Sequence, residues 1–241
     1  MFNILKRAFQ PRPAAWLARA DNRATLISSR ALAVNDAKVT SGPSRRVHVC
    51  GPGDYRTEDV DLCLPVPGAH FGEAPVSEKD ERWQLEVADA IRIRCVPWCT
   101  VMIGPHLTAS ETTYSTGAAA VAGLAYTGMD GAWILLAGGY SKTHYASTVH
   151  HEAFHIAESM MSADAIRSID DSISPHAQQY GGVQYFRSMS ERRCRLYQNF
   201  ASMADEGVPV EVDVNRQDAL GAFSAVYSGQ FAQELSARNL T

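Results

Sequence analysis

No stretch of this 241-residue chain approaches the roughly 18 consecutive apolar residues of a bilayer span, the best being Trp133-Ile134-Leu135-Leu136-Ala137, so no membrane-crossing segment is expected. Charge of one sign is also missing. There are 22 Lys and Arg against 26 Asp and Glu, and the net −4 offers no field for a polyanion, which excludes nucleic-acid binding by bulk charge. Cysteine is sparse and odd in number. Cys50, Cys63, Cys95, Cys99 and Cys194 are too scattered for a disulfide framework and suit a reducing, cytoplasmic setting. No cleaved export signal is expected either, because two prolines and two arginines interrupt residues 10–19, where its apolar region would fall. Internal repeats, low-complexity tracts and long charge runs are absent. What remains is 46% hydrophobic, with 17 Gly and 11 Pro, enough to bury one large domain with or without an appendage.

Residues 1–75 carry breakers at short intervals, such as Gly51-Pro52-Gly53-Asp54 and Pro65-Val66-Pro67-Gly68, and read as an N-terminal extension of short extended pieces. The texture changes at Ser77-Glu78-Lys79-Asp80-Glu81, an N-cap and acidic first turn predicting a helix over 77–93, which Pro97 ends. Thr100-Val101-Met102-Ile103 suits a buried strand. Residues 118–126 and 132–137 flank an Asp-Gly turn and predict a hairpin. The second arm is expected to be an edge strand bordering a groove. Helices are predicted from Ser141 or Thr143 towards Met161, from a Ser162 cap to about Ile173, over 188–204, and over 216–235.

The chemistry-bearing segment is Thr148-Val149-His150-His151-Glu152-Ala153-Phe154-His155-Ile156-Ala157, which holds His-Glu-x-x-His inside a predicted helix. Histidines four apart sit one turn apart on one face, so both imidazoles can meet one ion, with Glu152 beside the first in reach of a water there. Zinc suits imidazole ligation and keeps an open position when the protein gives three ligands. With 8 His and 12 Glu in the chain, chance placement gives roughly 0.01 such patterns. His150 points about 100° away from His151 on the helix and is expected to be exposed or to support the site from behind. Cys95 and Cys99 have three residues between them and lack a second pair, leaving a disulfide, a second metal site or two ordinary thiols open.

The extended string around the two histidines resembles the signature of the zincin metallopeptidases. Ile156-Ala157-Glu158-Ser159 lacks the Gly-rich continuation that carries a third histidine in metzincins, whereas Glu191-Arg192-Arg193-Cys194 resembles the gluzincin Glu-x-x-Ala or Glu-x-x-Asp ligand motif, with Cys in the small-residue position. The resemblance implies a Zn²⁺ site of His151, His155 and Glu191, with Glu152 as general base. His176 is the next candidate ligand, while Glu158 suits a supporting or solvent-facing place. Zincins often place a Tyr or His oxyanion donor in the following linker, which singles out Tyr185. The implied fold is α+β: a small, mainly antiparallel sheet packed on the active-site helix, with further C-terminal helices, over residues 76–241. The implied activity is zinc-dependent hydrolysis of peptide bonds in a peptide or protein substrate. The alternative is a catalytically inactive zinc-binding interaction or structural protein, or a tether through residues 1–75 to a partner assembly such as a phage particle or toxin system.

Overall fold

The structure is a computed structural model, and it describes residues 45–51, 54–60, 69–71, 78–104, 106–109, 119–128, 131–138, 140–173, 189–209 and 217–238. Its helices are α1 (Glu78–Cys95), α2 (Lys142–Glu158), α3 (Ala163–Asp170), α4 (Met189–Glu206), α5 (Gln217–Tyr227) and α6 (Gln230–Arg238). The caps follow from the sequence. Ser141 Oγ accepts from the His144 N–H to open α2, and Ser162 Oγ accepts from the Ala165 N–H to open α3. The single helix expected over 216–235 is instead α5 and α6. Gly229 separates them at φ +81°, a left-handed conformation that favours glycine, and a β-carbon there would come within 2.8 Å of the Arg94 carbonyl oxygen.

The strands are β1 (Arg45–Gly51), β2 (Asp54–Val60), β3 (Ala69–Phe71), β4 (Thr100–Gly104), β5 (Leu107–Ala109), β6 (Ala119–Val121), β7 (Gly123–Gly128) and β8 (Gly131–Ala137). Five form a sheet in the order β2-β1-β4-β8-β7, and β3-β5-β6 form a second, smaller one. The larger sheet is mixed: β4 and β8 run parallel, while the other junctions are antiparallel. The architecture is thus α+β. β1 and β2 lie inside the stretch read from the sequence as an N-terminal extension, and the β1–β4 pairing ties them into the sheet.

Two expectations about the hairpin change. Its first arm is divided, with β6 in the small sheet and β7 crossing into the large one next to β8. Its second arm is not an edge: β8 is paired on both sides, with β4 and with β7, and is buried at every position. Both faces of β8 are covered, which explains its unbroken apolar run. Ile134 and Leu136 join the helical core with Val101, Ile103, Val149 and Phe154, whereas Trp133, Leu135 and Ala137 join Phe71, Met102 and Leu107 beneath the small sheet. The outer position belongs to β7, which is only partly buried and whose outer edge pairs with no strand among the described residues.

On the helical side an aromatic cluster locks α2 to α4 and α5. The Phe154 and Tyr197 rings stack with centroids 4.5 Å apart, and both meet Phe223 edge-on at 5.3 and 5.8 Å. This packing turns one face of α4 onto α2 and fixes their register.

Candidate metal centre

Two polar stripes oppose each other across the α2–α4 contact. Ser147, His151, His155 and Glu158 recur at i, i+4, i+8 and i+11 on α2, and Glu191, Cys194 and Gln198 recur at i, i+3 and i+7 on α4, each set therefore on one helical face. The His151 Nε2 lies 3.1 Å from Glu191 Oε2, and the His155 Nε2 lies 3.3 Å from Glu191 Oε1, so a single carboxylate spans both imidazoles. Cys194, fully buried, completes a group with His151 and His155 whose ligand atoms all lie within 4.8 Å of one another, and this group could hold a metal ion.

The far sides of both rings are held. His151 Nδ1 lies 3.1 Å from Gln198 Oε1, which also accepts from Arg195 at 3.0 Å, while the Gln198 amide donates to Ser147 Oγ. His155 Nδ1 lies 3.1 Å from Ser190 Oγ, whose own hydrogen goes to Glu158. A carboxylate only accepts, so Ser190 donates to Glu158 and is left to accept from His155 Nδ1–H, which leaves the Nε2 lone pair for an ion. Glu158 is fixed in turn by Arg193, whose Nε is 2.8 Å from Glu158 and whose second nitrogen is 2.6 Å from Asp170. Metal-binding histidines need such partners on the other nitrogen to set tautomer and ring orientation. The donor set therefore fits a metal, and Glu158 takes the supporting place expected for it.

Burial and neighbouring charges shift these groups away from their ordinary pKa values. Burial opposes charge on His155, but Cys194, Glu158 and Glu191 crowd around it and raise its pKa. Burial pushes the Cys194 thiol up to about 12 against the pull of His155. Glu152 is also buried, which raises its pKa against the pull of His151 and His155.

Glu152 is positioned by strand β7. The Ala125 backbone N–H donates to its carboxylate, and Gly123 lies so close that a β-carbon there would meet Glu152 Cγ at 2.8 Å and Oε1 at 2.9 Å. The edge of the sheet thus passes directly over the carboxylate. No sequence signal marked Gly123. Gln198 could have been found, since it falls at i+7 on the helical face of Glu191.

Other candidates fall elsewhere. His150 is fully buried instead of exposed: its Nε2 is 3.0 Å from Asp205 Oδ2, and its ring packs against Tyr197 and Tyr227, because its side of α2 faces α4 and α5. Cys95 and Cys99 are buried thiols not joined in a disulfide. Tyr185 and His176 lie outside the described residues. No helix among the described residues is long and apolar enough to cross a membrane. No protein-family model, no curated protein and no solved structure matches the chain.

Proposed function

We propose that the protein is a zinc-dependent peptidase of zincin-like, gluzincin-type organisation, with His151, His155 and Glu191 as ligands and Glu152 as general base. The observation that carries this reading is the spacing of the two Nε2 atoms and the Glu191 carboxylate. Zinc bonds of about 2.0–2.2 Å in a tetrahedron put neighbouring ligand atoms about 3.3 Å apart. Each Nε2 has a different Glu191 oxygen near that distance, Oε2 at 3.1 Å from His151 and Oε1 at 3.3 Å from His155. Three protein ligands would leave the fourth position open.

A bound zinc ion would supply Lewis acidity, acidifying a water in its open position and polarising a carbonyl oxygen. The chain's own residues do the rest. Glu152, held by Ala125 N–H and walled in by Gly123, accepts the water proton at a carboxylate oxygen and passes it to the nitrogen of the leaving amine. The partly buried β7, whose outer edge pairs with no strand among the described residues, suits an extended peptide bound through main-chain hydrogen bonds beside Glu152. The groove expected along residues 132–137 is thereby moved one strand outward.

A second reading is favoured by Cys194. If its thiolate joined the two histidines and Glu191, all four positions would be filled by protein and the site would be structural, giving a zinc protein without hydrolytic activity. Metal analysis combined with a peptide-library assay separates the two. About one zinc per chain is expected, with hydrolysis that Glu152→Gln abolishes while zinc content stays the same. A zinc-loaded wild type inert towards every peptide supports the structural reading, and a chain without bound zinc overturns both.

A further inference from the structure

We propose that Arg195 and Gln198 act as a pair of positioning residues that fix the tautomer of His151, keeping its Nε2 lone pair turned to the metal position; this rests on the ligand reading above. The nitrogen and oxygen of a glutamine amide are interchangeable in shape, so its orientation follows from its partners. Ser147 does not decide it, because a hydroxyl donates or accepts equally well. Arg195 does. A guanidinium carries donors only, and its NH1 stands 3.0 Å from the same Gln198 atom that faces His151 Nδ1 at 3.1 Å, so that atom is the carbonyl oxygen.

An oxygen beside Nδ1 can only accept. Nδ1 therefore carries the hydrogen, and the neutral ring keeps its lone pair at Nε2. The constraint matters because Glu191 Oε2, 3.1 Å from Nε2, supports the opposite tautomer by offering an acceptor there. Without the pair, a ring protonated at Nε2 would hydrogen-bond Glu191 and turn no lone pair towards the ion. Gln198 touches His151 and Arg195 touches Gln198, and the structure places both on the side of the ring away from the metal position.

The test is zinc affinity, by competition with a chromophoric chelator, in wild type and four full-length variants. Gln198→Leu, which removes the acceptor, is expected to weaken binding about 10–100-fold, the usual cost of losing such a partner. Arg195→Met, which frees the amide to turn, shifts affinity the same way by a smaller factor. Gln198→Glu keeps an acceptor and Arg195→Lys keeps a donor, and both restore most of the affinity. Nitrogen NMR of the zinc-loaded wild type should show His151 protonated at Nδ1 with a slowly exchanging hydrogen, a readout that holds even if a variant does not fold. Wild-type affinity in Gln198→Leu and Arg195→Met, or His151 ligating through Nδ1, overturns the inference and leaves the ligand reading standing. A wild type that takes up no zinc overturns the ligand reading instead, and this inference with it.

Discussion

Glu191 and Cys194 stand one turn apart on α4, and both face the histidines of α2, so under the proposed metal reading the third ligand would be one of two neighbouring side chains. One Glu191 oxygen lies 3.1 Å from His151 Nε2 and the other 3.3 Å from His155 Nε2, whereas Cys194 is grouped with both histidines within 4.8 Å. Glu191→Ala is therefore expected to lower zinc affinity by more than the about 10–100-fold that loss of a supporting partner costs, and Cys194→Ala to leave it within that range. Cobalt substitution checks the same point independently. A strong thiolate-to-cobalt absorption band that disappears in Cys194→Ala would make the cysteine a ligand, and its absence in wild type leaves Glu191 in that role.

Strand β7 brings the backbone to within contact of Glu152, and that approach depends on a missing side chain. A β-carbon on Gly123 would meet Thr148 Cγ2 at 2.9 Å as well as Glu152, so both side chains would have to shift. Gly123→Ala should therefore retain zinc and fold while turnover falls about 10²-fold, the order of loss that a displacement near 1 Å brings to a reacting group. Kinetics paired with metal content check it; undiminished kcat would show that Glu152 is not held by the strand. The exchange of backbone amides separates the two strands of the hairpin too. Bound peptide is expected to slow exchange along β7 and leave Ile134, Leu135 and Leu136 of β8 unchanged, because β8 is already paired on both edges.

The back of α2 is braced against the end of α4 by a second polar group, and here stability should depend on pH. Partial burial works against charge on Asp205, yet hydrogen bonds from His150 Nε2 and Tyr227 Oη, with the charges of His150 and Arg94, take its pKa from 3.8 down to about 2. A carboxyl depressed on folding stabilises the protein above its unfolded pKa, and that contribution disappears as pH falls through the folded value. Asp205→Asn is thus expected to be less stable than wild type at pH 6, with the gap closing between about pH 4 and pH 2. Urea unfolding with chelator present measures it without a metal contribution; a gap independent of pH would assign Asp205 a purely steric part.

Much of this molecule is legible along the chain because the signals are local. His151, Glu152 and His155 need only the 3.6-residue helical period to share a site, and Ser141 and Ser162 cap their helices through bonds to residues three positions on. Glu191 was singled out by the resemblance of Glu191-Arg192-Arg193-Cys194 to a gluzincin motif, and the structure puts its carboxylate beside both histidines. Long-range contact decided the rest. An apolar run such as Trp133 to Leu136 has the same composition whether one face or both are covered, so only the pairing of β8 with β4 and β7 shows that it is interior and that β7 is the edge. His150 was misplaced because helical geometry gives its direction from the axis but not what stands there, and α4 and α5 fill that side. Gly123 came beside Glu152 only through the approach of the sheet edge, and Gln198 beside His151 only through the α2–α4 packing, although the spacing of Gln198 from Glu191 was readable along the chain.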